Sequence, residues 1–158
     1  VNDNINELFA INSPVGILQI SIEDGQLNRI RFDTDFDVKQ PQSQCGKLVR
    51  QQIDAYFADA KFQFDLPLFR LGSEHQLKVW SALSEISTGN VMTYGELAKE
   101  LNSSARAIGN ACRNNPLPIV VPCHRIVAAK DIGGFSGSTQ GRLLSIKRNL
   151  LCHEGLSY

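Results

Sequence analysis

The chain has 158 residues, 42% hydrophobic and 20% charged, and its sixteen basic and sixteen acidic side chains cancel to zero net charge. That length holds one domain or two small ones with a substantial core, and the composition excludes a disordered or collagenous chain. No apolar run approaches the roughly 20 residues of a membrane helix, and Val1–Asn4 carries no basic, apolar leader pattern, so the expectation is a cytoplasmic protein with no membrane association. The four cysteines, Cys45, Cys112, Cys123 and Cys152, show no CxxC spacing, which favours free thiols over disulfides or a zinc cage. A metal held by Cys123, His124, Cys152 and His153 is the weaker alternative.

In chain order, Leu8–Ile11 is a short apolar run, and Ile17–Ile22 pairs with Leu27–Phe32 across the turn Glu23-Asp24-Gly25. Asp33–Gln44 reads as an acidic surface loop. Leu48, Val49, Ile53, Tyr56 and Phe57 recur at helical spacing, which predicts a helix over Lys47–Phe57. Phe62, Phe64, Leu66 and Leu68 alternate and predict an extended segment. The pattern changes around Arg70–Ser73, taken as a boundary between domains 1–72 and 73–158. A helix follows over Glu74–Ser87, with Leu77, Trp80, Leu83 and Ile86 on one side; Trp80 is read as core.

Thr93 and Glu96 have capping-box spacing and predict a helix from Tyr94 to Leu101. Asn102-Ser103-Ser104 supplies a turn and the next N-cap, and Ala105–Asn114 is a second helix. Ala105, Ala107, Gly109 and Ala111 leave that helix nearly bare, for close packing or for close approach to a duplex. Arg106 puts a cation in the first turn, where the helix dipole disfavours one. From Leu101 to Tyr158 seven bases face two acids, net positive by five, so a polyanion would meet this half.

Asn114–Pro118, with two prolines and two amides, predicts a rigid turn. It leads into Ile119–Val127, an apolar, strand-like run containing Pro122-Cys123-His124-Arg125. An imidazole and a guanidinium beside a thiol can stabilise its thiolate or take its proton. On spacing alone, a nucleophilic and a structural Cys123 are equally supported. Gly133–Ser138 is a glycine-rich loop open to a flat ligand. A last helix with Leu143, Leu144, Ile146, Leu150 and Leu151 apolar ends at His153-Glu154-Gly155.

Together these residues resemble the O6-alkylguanine-DNA alkyltransferase family. The resemblance runs over Lys78-Val79-Trp80, Tyr94–Ala98, Ala105–Gly109, Asn115-Pro116, Pro122–Arg125, Gly134–Gly137 and His153–Gly155, with Ser13–Gly16 and Asp65–Leu68 in the first domain. It implies an α+β protein: a small N-terminal antiparallel sheet with a helix, RNase H-like, joined to a mainly α C-terminal domain with a winged helix-turn-helix. It implies a monomer without metal or cofactor that binds duplex DNA containing O6-alkylguanine through the minor groove.

The resemblance further implies that Arg106 enters the base stack while Ala105, Ala107, Gly109 and Arg113 line the DNA-facing helix, and that the flipped guanine meets Cys123. Cys123 would attack the alkyl carbon once, with His124 taking the thiol proton through a water and Glu154 orienting the imidazole. Tyr94 would donate toward guanine N3, Asn115 would hold the turn, and the carbonyls of Cys123 and Ile126 would accept the guanine amine. Ser136 would donate to O6, and Pro118 and Phe135 would form pocket wall. The chain departs from the family pattern at His75 (usually Phe), at a shorter turn between the two short helices, at Phe135 (often Tyr), at Ser138 (often Gly) and in a longer Gly137–Lys147 stretch.

Overall fold

The computed structural model describes residues 6–32 and 35–158; the start at Val1–Asn4 and the first acid of the expected loop, Asp33, lie outside the described residues. The chain divides into two compact units, 1–70 and 71–158. Among the described residues no helix is long and apolar enough to cross a membrane.

In the first unit, β1 (Glu7–Ile11), β2 (Leu18–Glu23) and β3 (Gln26–Phe32) form an antiparallel sheet in chain order. Its register sets Phe9 opposite Ile20 and Ile20 opposite Ile30, so one face carries buried Phe9, Leu18, Ile20, Ile22, Leu27 and Ile30. The β2–β3 turn has Asp24 and Gly25 at φ 51° and 72°, the left-handed pair that matches the twist of a tight hairpin.

Helix α1 (Gln44–Ala58) begins three residues before the expected Lys47. The reason is Ser43, whose Oγ caps Gly46 N at 2.9 Å while the Glu7 carboxylate holds Gln42 N and Ser43. The buried face is Gly46, Val49, Ile53 and Tyr56; Leu48, expected inside, is exposed. The Phe62–Leu68 segment is extended but, among the described residues, bridges only through Leu68 with Leu27, and Pro67 has no N–H to continue a ladder.

The second unit opens with α2 (Glu74–Ser84), started by a complete Ser73/Gln76 capping box and ending earlier than the expected Ser87. Its Trp80 is core: the ring is buried and Nε1 donates to Ala111 O at 2.9 Å. After the two-residue strand β4 (Met92–Thr93), α3 (Tyr94–Glu100) starts on a complete Thr93/Glu96 capping box. The short turn that follows works because Asn102 takes φ 54°. Asn102 N and Ser103 N then return to Lys99 O and Ala98 O at 3.4 and 2.8 Å, a Schellman closure with asparagine where glycine is usual. His75 shares a 2.8 Å hydrogen bond with Ser103 Oγ, tying the start of α2 to this turn. Helix α4 (Ala105–Arg113) is capped by Ser104. Ile108 and Ala111 face the core, while Ala105, Arg106, Asn110 and Arg113 are exposed.

The apolar run around the thiol is not a strand at its start. Pro118–Val120 is a turn, with Ile119 at φ 76° and Val121 N bonded to Leu117 O at 2.8 Å. Cys123–Arg125 is one turn of 3₁₀ helix, and only Ile126–Val127 forms a strand, β5, parallel to β4. Helix α5 (Arg142–His153) closes the unit, its end fixed by Gly155 at φ 90° with Leu156 N returning to Leu151 O at 2.9 Å.

Candidate active site

Two segments bring the site together. The 3₁₀ turn presents Cys123 and His124, which are 5% and 0% exposed, and the fixed end of α5 presents Glu154, 7% exposed. His124 Nε2 lies 2.8 Å from Glu154 Oε2. A carboxylate accepts, so Nε2 carries the proton and Nδ1 keeps a lone pair. That Nδ1 is buried with no hydrogen-bond partner among the described residues. Burial drives the imidazole pKa down, against Glu154, which acts to raise it; the ring is therefore neutral and able to take a proton.

Arg125 does not serve the thiol directly, contrary to the expectation that its guanidinium stabilises a thiolate. Nε and Nη2 donate to the two Glu154 oxygens at 2.8 and 3.0 Å, Nη1 to Ile86 O at 2.5 Å and Nη2 to Thr88 Oγ1 at 3.1 Å. A carboxylate at a helix C-terminus is disfavoured by the dipole, and this two-pronged pairing offsets that cost.

The cation that bears on the sulfur is one the sequence reading passed over. Lys147, on the inner face of α5, is 0% exposed, and its Nζ donates to Ile126 O at 2.6 Å and to Gly134 O at 2.9 Å. It sits 6.0 Å from the centroid of the Tyr94 ring. Burial lowers its pKa to about 8, opposed first by Cys123 and then by Cys112. Burial likewise pushes the Cys123 thiol up, and an Asn115 hydrogen bond and the Lys147 charge pull it back. Position 147 falls among Leu143, Leu144, Ile146, Leu150 and Leu151 at core spacing, which was the available signal.

Asn115 Nδ2 donates to Val121 O at 2.9 Å and its Oδ1 accepts from Leu117 N at 3.0 Å, so the turn before the thiol is braced from within. Tyr94 Oη lies 3.5 Å from Gly134 O, and burial pushes the phenol up to about 12, keeping it a proton donor. Beside the thiol is a cavity of about 230 Å³ whose wall includes Tyr94, Gly109, Arg113, Phe135 and Ser136. Cys112 opens onto it too. Pro118 is buried but does not line this cavity, and Ile126 reaches the site through the carbonyl that Lys147 occupies. Ala105, Arg106 and Ala107 lie off the cavity on the first turn of α4. Among the described residues no three His, Cys, Asp or Glu side chains group as a metal site.

A buried thiol, a neutral imidazole backed by a carboxylate, a buried ammonium and an adjoining cavity supply the groups that a nucleophilic cysteine requires. Residues 74–156 match the family described as 6-O-methylguanine DNA methyltransferase, DNA binding domain. The chain is 38% identical over 152 residues to the methylated-DNA–protein-cysteine methyltransferase of Archaeoglobus fulgidus, covering 94% of this chain and 99% of that one. It resembles the crystal structure of Mycobacterium tuberculosis O6-methylguanine methyltransferase with a TM-score of 0.81 at 30% identity, over 95% and 93% of the two chains. The structure of M. tuberculosis OGT in complex with DNA matches with a TM-score of 0.77 at 30% identity, over 94% and 92%. The chain belongs to the methylated-DNA–protein-cysteine methyltransferase family, enzymes of DNA repair, and its partner is DNA.

Proposed function

We propose that the protein removes an alkyl group from O6 of guanine in duplex DNA by transferring it once, irreversibly, to Cys123. The observation that carries this reading is the Nδ1 of neutral His124, without a partner among the described residues, in the residue next to a buried thiol and backed by Glu154. The thiol proton passes through a water to Nδ1, Sγ attacks the alkyl carbon, and the carbon–O6 bond breaks. Guanine leaves as an anion that takes a proton at N3 from Tyr94, and Ser136 donates to O6. The Cys123–alkyl thioether has no route back to a thiol, so each molecule acts once.

O6 is out of reach inside a base stack, so the guanine turns out of the duplex into the cavity. Residues 73–158 serve as a winged helix-turn-helix unit that meets the minor groove through α4, and residues 1–72 as an RNase H-like scaffold. Exposed Ala105 and Arg106 with half-buried Ala107 and Gly109 on α4, and the matched span 74–156, support that division. Arg106, exposed at the start of α4, fills the place of the turned-out base.

Incubation with duplex DNA carrying O6-methylguanine adds the mass of one methyl group, located on Cys123 by peptide mapping, and Cys123→Ala adds none. Methyl on another residue, or demethylation by Cys123→Ala, overturns the assignment. Arg106→Ala slows transfer from duplex DNA about 10²-fold, the scale of an unstacking cost of a few kcal/mol. It changes reaction with the free base O6-benzylguanine little, and an equal loss on both substrates rules out the base-extrusion role.

A further inference from the structure

Alkyl transfer as set out above has no use for Cys112, yet this thiol shares the reaction cavity. It sits in the last turn of α4 and opens with Cys123 onto the same cavity of about 230 Å³. Both cysteines are free thiols. The segment between them is braced: Asn115 N bonds to Cys112 O at 3.2 Å, and the Asn115 side chain bonds to Val121 O and Leu117 N. The two thiols are therefore carried on braced supports, α4 and the 3₁₀ turn, that face one cavity. Lys147 acts on both, and ionisation of Cys123 acts in turn on Cys112, whose pKa burial pushes up to about 12. The two thiols thus share one cavity wall, with the buried Lys147 ammonium behind it.

We propose that Cys112 is a resolving thiol for Cys123, and that a peroxide closes the pair into a reversible disulfide across the cavity. In the first step the Cys123 thiolate attacks a peroxide oxygen. An S–O bond forms, the O–O bond breaks, and hydroxide leaves and takes the thiol proton as water, so sulfur is oxidised to sulfenic acid and the peroxide is reduced. In the second, Cys112 sulfur attacks the sulfenyl sulfur. The S–S bond forms, the S–O bond breaks, and the Cys112 proton leaves with the hydroxide as a second water. Resolution at this stage keeps the acceptor sulfur from the irreversible sulfinic state. The consequence for repair, a transfer activity that oxidation suspends and reduction restores, rests on the reading of Cys123 as acceptor; the disulfide itself does not.

The test uses the full chain, hydrogen peroxide near equimolar, and intact mass without reductant. The expected result is loss of two hydrogens with no gain of oxygen, a fall from four free thiols to two, and a crosslinked peptide pair containing Cys112 and Cys123. Dithiothreitol reverses all three. A disulfide forms only where Cβ atoms come within about 4 Å, so the crosslink also measures the approach of the two supports. Under a several-fold molar excess of peroxide, enough for the two oxidations that sulfinic acid needs, Cys123 in Cys112→Ser and in Cys112→Ala instead gains two oxygens, and dithiothreitol recovers at least tenfold less free Cys123 than from the wild type treated alike. Oxygen gained on Cys123 of the wild type with Cys112 left reduced overturns the proposal, as does a disulfide through Cys45 or Cys152. These readouts are masses, so they stand apart from whether methyl transfer occurs.

Discussion

Glu154→Gln slows methyl transfer by about 10²- to 10³-fold, the range for loss of a positioned acid–base group, while affinity for lesion-bearing duplex changes less than about threefold. The carboxylate fixes the imidazole by accepting from Nε2 at 2.8 Å, which leaves the lone pair on Nδ1. An amide can offer its NH₂ to Nε2 instead, moving the ring proton to Nδ1 and ending its use as a base. Glu154→Ala has a second effect, because Arg125 also spends two donors on that carboxylate. Removing one partner of a buried ion pair costs about 3–5 kcal/mol, so the alanine variant melts well below the glutamine variant. Single-turnover transfer, DNA titration and thermal melting separate these effects. Equal losses of transfer and binding in Glu154→Gln would make the residue structural only.

Lys147→Met moves the pH profile of transfer to higher pH and lowers the rate at neutral pH by about tenfold or more, since the charge that lowers the pKa of the Cys123 thiol is lost. Stability responds in the other sense. The folded lysine has a pKa of about 8 against an ordinary 10.5. Below pH 8 both states hold the proton, and the folded state carries the full cost of a buried charge. Between about pH 8 and 10.5 the unfolded chain binds more protons, so the wild type gains stability on the methionine variant as pH rises. Melting of both proteins across pH 7 to 10 checks this. A constant gap between the two curves would mean that Lys147 is not buried as an ammonium at neutral pH.

What the sequence made legible was local. The Thr93/Glu96 and Ser104 caps and the glycine closing α5 each act within a few residues, so pattern reading places the helices around the site. Ile119-Val120-Val121 misleads because β-branched residues favour strands. Here the side-chain bonds of Asn115 and the burial of Ile119 override that preference and bend the segment into a turn. Arg125 misleads differently: its partner is 29 residues away, and no spacing rule connects them. Lys147 escaped notice because a charge inside an apolar helix face is ordinarily assigned to solvent. The link between His124 and Glu154 came from resemblance alone, since nothing within either segment announces the other.

Ile119 carries a consequence for how the protein is made. A β-branched residue in the left-handed region costs about 1–2 kcal/mol, and such a conformation persists only where its surroundings impose it. The turn before the thiol is therefore uphill by itself and forms after its neighbours pack, not before. During folding, Cys123 reaches its working geometry late.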